Sequence, residues 1–201
     1  GSSVADNNGQ LLWRAGDAFD EYTTASTAAD LDDDGDLEVI TARGAYHHDG
    51  TVLFEHAALN RYGFPHVANL DDDPDPEIIV TSPAGLTLLE HDGTITYQDV
   101  RPTDDPAGDW NRPAAIHDLD GDGEAEFVLS SLTNYTAYEA SSDVMWVAQV
   151  ADSSGNAGGT AFDFIGSGVA QALYQDETSL FVFDDAGAPL CTGSTDFTVE
   201  A

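Results

Sequence analysis

Residues 30–38 have the sequence Asp-Leu-Asp-Asp-Asp-Gly-Asp-Leu-Glu, residues 69–77 Asn-Leu-Asp-Asp-Asp-Pro-Asp-Pro-Glu, and residues 118–126 Asp-Leu-Asp-Gly-Asp-Gly-Glu-Ala-Glu. Each stretch carries an oxygen-bearing side chain at positions 1, 3 and 5 and a Glu at position 9. Hard cations such as Ca²⁺ take about six to eight oxygen ligands at about 2.3–2.6 Å. Alternate residues of a tightly curled loop converge on one ion, and position 7 adds its backbone carbonyl. Three such stretches at one register therefore predict three calcium sites.

The predicted ligands fall into three sets, one for each stretch. They are Asp30, Asp32, Asp34, Asp36 and Glu38 in loop 1, Asn69, Asp71, Asp73, Asp75 and Glu77 in loop 2, and Asp118, Asp120, Asp122, Glu124 and Glu126 in loop 3.

The opening of these stretches is shared with the EF-hand, but the rest is not. An EF-hand loop closes with a bidentate Glu at position 12 and continues into a helix. Position 12 is here Thr41, Val80 or Leu129, none of which closes a calcium site. The residues that follow each loop form short apolar runs rich in β-branched side chains, which indicate buried strands. The EF-hand is therefore excluded, and a dockerin is excluded for the same reasons.

The acidic stretches are part of a longer repeat. A fourth, degenerate copy begins at Asp163, so the first positions are spaced by 39, 49 and 45 residues. Periods of about 40–50 residues with four short strands each are typical of a β-propeller. We predict an all-β fold with blades at about 19–59, 60–100, 110–151 and 158–194, each with its acidic loop between the first two strands. Residues 1–18 and 195–201 are predicted to add strands of partial blades.

The repeats at Ala29–Ile40, Ala68–Ile79 and Ile116–Val128 resemble the FG-GAP/VCBS family, the calcium-loop propellers of integrin α chains and of many bacterial surface proteins. The resemblance covers nearly the whole chain. It implies the propeller fold and calcium as cofactor, and it says little about biochemical activity.

Two loops depart from the pattern. Loop 4 keeps Asp163 but has Ile165, Ser167 and Gln171 where ligands belong, so we expect it to fold without calcium. Loop 2 has Pro74 at position 6, where loops 1 and 3 have Gly. Gly takes positive φ readily and Pro is fixed near −65°, so loop 2 must turn differently.

Four blades are fewer than the roughly seven that the family resemblance implies for a complete ring. The four blades then close a small ring, form an open arc, or pair with a second copy. An open arc leaves strand edges unpaired, which favours self-association.

Composition restricts the partners. The chain has 38 acidic residues against five Arg and no Lys. Such a surface excludes nucleic acid and anionic membranes as partners, and no apolar stretch approaches the length of a membrane span. It suits an extracellular or cell-surface setting, with plain solubility as the alternative explanation. Cys191 is the only cysteine, so no intramolecular disulfide forms.

Other candidate residues have simpler explanations. His47 and His48 are neighbours on a strand and point to opposite faces, so they do not share an ion easily. His66 and His117 lie on first strands, where a structural role is expected. The three Trp residues, at 13, 110 and 146, are expected in the packing between blades, with sugar stacking as the alternative. The irregular stretch Asp104–Arg112 is the first candidate for contact with a ligand.

Three functions remain open. The first is a calcium-stabilised, integrin-like module that binds a protein or carbohydrate ligand outside the cell, without enzymatic activity. The second is part of a calcium-dependent polysaccharide lyase, against which the lack of Lys and the scarcity of Arg count. The third is a purely structural scaffold.

Overall fold

The structure, a computed structural model, describes residues 2–15, 24–71, 73–104, 110–131, 133–152 and 158–195. Within these ranges every regular element is a β-strand, and the predicted all-β class is therefore confirmed. The described part of the chain contains no helix of the length and apolarity that a membrane crossing requires.

An N-terminal hairpin is followed by four antiparallel sheets, each of four strands in sequence order. The hairpin pairs β1 (Ser2–Ala5) with β2 (Leu11–Ala15). Sheet I has β3 (Thr27–Ala29), β4 (Glu38–Thr41), β5 (Gly44–Tyr46) and β6 (Val52–Glu55), and sheet II has β7 (Phe64–Ala68), β8 (Glu77–Ser82), β9 (Gly85–Leu89) and β10 (Ile95–Val100). Sheet III has β11 (Ala115–His117), β12 (Glu126–Ser131), β13 (Asn134–Tyr138) and β14 (Val144–Gln149), and sheet IV has β15 (Thr160–Phe162), β16 (Gln171–Gln175), β17 (Ser179–Phe183) and β18 (Pro189–Ser194).

The middle strands of the central sheets are covered on both faces. Every residue of β8, β9, β12 and β13 is buried. Side chains alternate between the two faces of a strand. Ile78 and Val80 therefore pack against sheet I, whereas Ile79 between them packs against sheet III. Burial of one such side chain stabilises the fold by about 1.5–3 kcal/mol.

Three apolar cores separate the four sheets. The core between sheets I and II includes Ile40 and Leu89, the core between II and III includes Phe127, and the core between III and IV includes Tyr135 and Tyr174. Position 2 of each of the first three acidic loops also inserts into a core. These residues are Leu31, Leu70 and Leu119, each 1% exposed. The loops are thus anchored to the packing between sheets.

In sheets I, II and IV a tight hairpin with a glycine connects the third and fourth strands. Gly50, Gly93 and Gly187 have φ of +88°, +86° and +73°, which favour glycine. An aromatic ring from the preceding hairpin or sheet lies over each glycine: Trp13 over Gly50, Phe54 over Gly93 and Trp146 over Gly187. A Cβ atom there would lie 2.3–2.8 Å from the nearest ring atom. Glycine is required both for the turn and for the contact between successive sheets.

The first strand of sheet I is short: β3 begins at Thr27, and residues 24–26 before it are not part of a strand. The pairing of β1 with β2 was not predicted. Each of the four acidic loops joins the first strand of a sheet to the second, as predicted. Position 12 of loops 2 and 3 is buried inside β8 and β12, so the rejection of the EF-hand is confirmed.

Neighbouring loops lie together at one end of the sheets. The backbone N–H of Ala170, at the end of loop 4, donates to the carbonyl oxygen of Asp118 in loop 3 at 3.0 Å. A Cβ atom added to Gly121 would lie 2.8 Å from Cγ2 of Val169. Loops 3 and 4 are therefore in direct contact with each other.

Candidate metal centres

Loops 1 and 3 bring the carboxylates of positions 1, 3 and 5 together, as the sequence predicts. In loop 1 these are Asp30, Asp32 and Asp34, and in loop 3 Asp118, Asp120 and Asp122. Within each triad, one oxygen from every carboxylate lies within 4.8 Å of the others. Two ligands on one Ca²⁺ ion are at most about 5 Å apart, since each bond is about 2.3–2.6 Å. Both triads therefore have the dimensions of a calcium site.

Loop 1 is curled by hydrogen bonds from its own backbone. Asp30 Oδ2 accepts from the N–H of Gly35 at 3.0 Å, and Asp34 Oδ1 accepts from that of Asp36 at 2.8 Å. Gly35 has φ of +91° and Asp33 has φ of +56°. These two left-handed residues turn the chain so that alternate side chains face the same point. Asp30 Oδ1 is buried and has no hydrogen-bond partner among the described residues.

Loop 3 has the same construction with two more bonds. Asp118 accepts from the N–H groups of Gly121 and Gly123 at 2.6 and 3.2 Å. Asp120 Oδ1 accepts from the N–H of Asp122 at 3.1 Å, and Asp122 Oδ1 from that of Glu124 at 2.9 Å. Asp120 and Asp122 each use one oxygen in these bonds, whereas both oxygens of Asp118 accept a backbone hydrogen bond.

Loop 2 differs, as the proline at position 6 predicts. The side-chain amide of Asn69 donates to the backbone carbonyl of Asp73, and Asp71 and Asp73 accept from the N–H groups two residues further on, at 2.9 Å each. Asp71 instead forms a cluster with Glu77 and Glu90, with one oxygen of each within 4.8 Å of the others. Asp72 lies outside the described residues.

The Glu at position 9 has a structural task that the sequence did not reveal. Glu38, Glu77 and Glu126 are 0%, 1% and 1% exposed. In each case Oε2 accepts from the backbone N–H of position 2, at 2.9, 2.6 and 2.6 Å respectively. This bond links position 2 of the loop to the first residue of the second strand, and it therefore closes the loop. Only Oε1 remains for a cation.

Burial and nearby charge perturb these glutamates. Burial raises the pKa of Glu126 to about 7, opposed by the Leu119 N–H and reinforced by the charges of Asp120 and Glu139. Burial likewise raises the pKa of Glu77, opposed by the Leu70 N–H. An adjacent cation stabilises the ionised form of a carboxylate whose pKa is raised by burial.

The acidic residues at position 7 of loops 1 and 2 lie beside imidazoles. Asp36 Oδ2 is 3.4 Å from His48 Nδ1, and Asp75 Oδ2 is 3.7 Å from His91 Nδ1. Both carboxylates are at least half exposed. The role predicted for position 7 requires only its backbone carbonyl, so these side-chain contacts are compatible with it.

The residues at the end of the third strand were not predicted to lie beside the position 9 Glu. His47, Glu90 and Glu139 occupy the same place in sheets I, II and III, where the backbone N–H begins the hairpin. His47 Nδ1 lies 3.3 Å from Glu38 Oε1 and 3.9 Å from Asp32 Oδ2. Each of these three residues lies three positions before the hairpin glycine or its equivalent, and this constant spacing is the sequence signal that could have located them.

Loop 4 keeps its shape with neutral groups. Asp163 accepts from the N–H groups of Ser167 and Gly168 at 2.9 and 2.8 Å, and the Gly168 bond is the largest of several that lower the pKa of this carboxyl. Gln171 Oε1 accepts from the N–H of Phe164 at 2.8 Å, in the place of the position 9 Glu, and its Nε2 donates to the Val169 carbonyl at 2.6 Å. The amide therefore supplies a donor where the other loops leave a carboxylate oxygen.

The remaining candidates are mostly structural. His66 accepts a hydrogen bond from the Ala114 N–H at 3.0 Å, and burial lowers its pKa to about 4, so it is a neutral acceptor. Trp110 is 3% exposed and Trp146 is 7% exposed, which agrees with packing between sheets. Of the stretch 104–112, residues 105–109 lie outside the described residues. Asp104 lines an open cleft of about 250 Å³ between 100–104 and 142–144.

Comparison with known proteins identifies the repeat. Residues 69–129 match the model of the FG-GAP-like repeat family. This range runs from loop 2 through loop 3 into β12, so the predicted resemblance to FG-GAP repeats is confirmed there. No curated protein matches the chain.

Solved structures share the architecture at low sequence identity. The V. cholerae biofilm matrix protein Bap1 has a TM-score of 0.70 and 15% identity, over 95% of this chain and 57% of that one. The exotype rhamnogalacturonan lyase YesX has a TM-score of 0.57 and 18% identity, over 94% of this chain and 42% of that one. The rhamnogalacturonan lyase YesW has a TM-score of 0.55 and 16% identity, over 96% of this chain and 44% of that one. The chain thus spans about half the length of these proteins, and the similarity shows the fold alone.

Proposed function

We propose that this chain is a calcium-binding, integrin-like β-propeller module that acts in binding or adhesion outside the cell. Calcium is bound at loops 1, 2 and 3, loop 4 folds without it, and the module has no catalytic activity of its own.

The observation that carries the calcium assignment is the pair of carboxylate triads in loops 1 and 3. The donors of both triads are all oxygen, with no thiolate and no imidazole among them. Such a set suits Ca²⁺ rather than the softer transition metals. A Glu at position 9 that is buried and hydrogen-bonded to the loop places one further oxygen near each triad.

The propeller arrangement is supported by the repeated contact between sheets. Each sheet packs its face against the next, and the aromatic residue of one last strand covers the hairpin glycine of the following sheet. Four-stranded sheets that pack face to face in succession are the building plan of a propeller or of an arc of one. We propose four blades, with the N-terminal hairpin as part of a fifth.

An extracellular role is supported by the surface charge and by the expected affinity. A net charge of −33 repels nucleic acid and anionic lipid. Extracellular calcium modules bind with Kd of about 10⁻⁴–10⁻³ M, which suits millimolar calcium outside cells. Bap1, which shares this fold, is a biofilm matrix protein. The ligand is therefore proposed to be a protein or a carbohydrate of the cell surface or matrix.

Calorimetric titration with Ca²⁺ tests the metal, and array binding tests the role. We expect saturable calcium binding in the range of about 10⁻⁴–10⁻³ M. On an array of glycans and matrix proteins, we expect signals in calcium that disappear in chelator. Titration without heat or saturation would refute the calcium assignment, and an array on which signals persist in chelator would refute calcium-dependent adhesion.

The alternative is a lyase module, favoured by the shared fold of YesX and YesW. Elimination from a uronate needs a base and a cation beside the carboxylate. Arg43 instead donates to the backbone carbonyls of His56 and Ala57, and Arg101 donates to those of Pro83 and Ala84. This arrangement favours a binding module over a lyase.

A further inference from the structure

The outer face of sheet IV carries the residues that sheets I, II and III use to contact the next sheet. Position 2 of loops 1, 2 and 3 inserts between its own sheet and the following one and is 1% exposed, whereas the equivalent residue of loop 4, Phe164, is 43% exposed. Leu190 lies three residues after its hairpin glycine, as does Leu53, which packs into the core shared by sheets I and II. Leu190 is 51% exposed. Sheet IV therefore presents one side of an interface between sheets, and this side is uncovered.

Cys191 lies at the centre of this face. By strand register, and by its distance of four residues from the hairpin glycine, it occupies the place of Phe54 in sheet I and of Trp146 in sheet III. Both of those rings cover the hairpin glycine of the following sheet. Cys191 is exposed, and a free Cys behaves as a small apolar side chain. It therefore continues an exposed apolar face, which is typical of an interaction surface.

The N-terminal hairpin presents the complementary side. Gly9 corresponds to Gly50 and Gly93, since each has positive φ and donates its N–H to the carbonyl three residues before it. A ring lies over Gly50 and over Gly93, but a Cβ atom added to Gly9 would meet no described atom within 4 Å beyond its chain neighbours. Leu11, two residues after Gly9, corresponds to Ile95, which packs towards the preceding sheet. Leu11 is 48% exposed, so the second side of the same interface is also uncovered.

These two uncovered sides lie at opposite ends of the array, and a second copy of the chain can bring them together. We propose that the protein associates head to tail, with the outer face of sheet IV of one copy packed against the N-terminal hairpin of the next. Cys191 then covers Gly9 of the second copy, and Phe164 and Leu190 are buried as their equivalents are within one chain. The contact repeats an interface that the chain already builds between its own sheets, and it joins faces rather than strand edges. Because its two sides differ, it closes into a ring of copies or continues as a filament.

Charge opposes this contact and sets the conditions of the test. Each copy carries a net charge of −33, so two copies repel each other at low ionic strength. The Debye length falls from about 30 Å at 0.01 M salt to about 3 Å at 1 M, which screens the repulsion and leaves apolar contacts in place. We therefore expect association to strengthen as NaCl is raised over this range.

Sedimentation velocity at high salt tests each face with a substitution of an exposed leucine. Leu190→Asp changes the face of sheet IV, and Leu11→Asp changes the face of the hairpin. The matched control is Val52→Asp on β6, since Val52 is 55% exposed and lies at neither end of the array. We expect dimers or larger species for the wild type and the control, and a monomer of 21.2 kDa for each face variant, with circular dichroism spectra like that of the wild type. A wild type that stays monomeric at high salt overturns the proposal.

Mixing the two face variants tests the head-to-tail arrangement. Leu190→Asp keeps an intact hairpin, and Leu11→Asp keeps an intact sheet IV. An equimolar mixture should therefore form a dimer with one copy of each and nothing larger, because only one intact interface can form. A mixture that remains monomeric overturns the arrangement. Dimers of Leu11→Asp alone also overturn it, because they identify a symmetric contact between two sheet IV faces.

Discussion

Asp120→Asn removes one charge from the loop 3 triad while keeping an oxygen and nearly the same volume. In the wild type, Asp120 has one oxygen within 4.8 Å of those of Asp118 and Asp122. Two unit charges at 4.8 Å repel by about 0.9 kcal/mol in water and by about 3.5 kcal/mol at an effective dielectric of 20. These side chains lie at the surface, so the lower figure applies, and the three pairs of one triad sum to about 3 kcal/mol.

Calcium bound as proposed would offset this repulsion. With Kd of about 10⁻⁴–10⁻³ M, 10 mM calcium stabilises the folded state by about 1.4–2.7 kcal/mol for each site. For a chain of this size, 1 kcal/mol corresponds to about 2–4 °C in Tm. Three sites then raise the midpoint by about 10–30 °C, and Asp120→Asn should reduce this increment by about 3–10 °C. In chelator, Asp120→Asn should melt no lower than the wild type.

The assay is thermal unfolding followed by circular dichroism, in 10 mM calcium and in chelator. The matched control is Asp163→Asn in loop 4, which changes the same chemical group in a loop where Gln171 replaces Glu. This control is expected to shift both curves equally and to leave the calcium increment unchanged. Superimposable wild-type curves with and without calcium, or an equal loss of increment in the control, would refute the reasoning.

Three further results are expected. Burial raises the pKa of Glu126 to about 7, above the unfolded value of about 4.3, so its stabilising contribution is complete below about pH 4 and is lost as pH rises through 7. In chelator, the midpoint of thermal unfolding should therefore fall between about pH 5 and pH 8. Glu126→Gln should remove part of that fall. Trp146→Ala should lower the free energy of unfolding in urea by about 3–5 kcal/mol, because the ring is 7% exposed and covers Gly187. Val147→Ala, on the same strand and 37% exposed, should lower it by less than about 1 kcal/mol. Incubation with rhamnogalacturonan or a polyuronate should yield no unsaturated product by ultraviolet absorbance, and turnover above the blank would favour the lyase alternative.

The fold class and the position of the loops were predictable because two periodicities agree in the sequence. The acidic positions recur every 39 to 49 residues, and the runs after them are apolar and β-branched. The hairpin glycines Gly50 and Gly93 were predictable for the same reason, since Asp-Gly between strands is a strong turn signal. Their second role, the close contact with Trp13 and Phe54, was not, because it depends on how one sheet lies against the next.

The ligand sets were predictable only in part, because one-dimensional spacing shows which residues share a loop and not which oxygen is already engaged. Asp118, Asp120 and Asp122 come together as predicted. Glu126 was predicted as a ligand, yet one of its oxygens is committed to the Leu119 N–H. Glu139 was missed because it reaches the same place from another strand, across the sheet.

Under the proposed function, calcium in these loops compensates negative charge and is not needed to shape the loop backbone. Gln171 makes the same bond to the position 2 N–H that Glu126 makes, and loop 4 curls around Asp163 as loop 3 curls around Asp118. The backbone hydrogen bonds thus form whether or not the position 9 side chain is charged. What differs is the group facing position 9: an imidazole in sheet I, and carboxylates in sheets II and III. In loop 4 the amide of Gln171 supplies its own donor, to the Val169 carbonyl, so no cation is needed at position 9. In sheets II and III further carboxylates face position 9, and under the proposed function calcium supplies the positive charge that they lack.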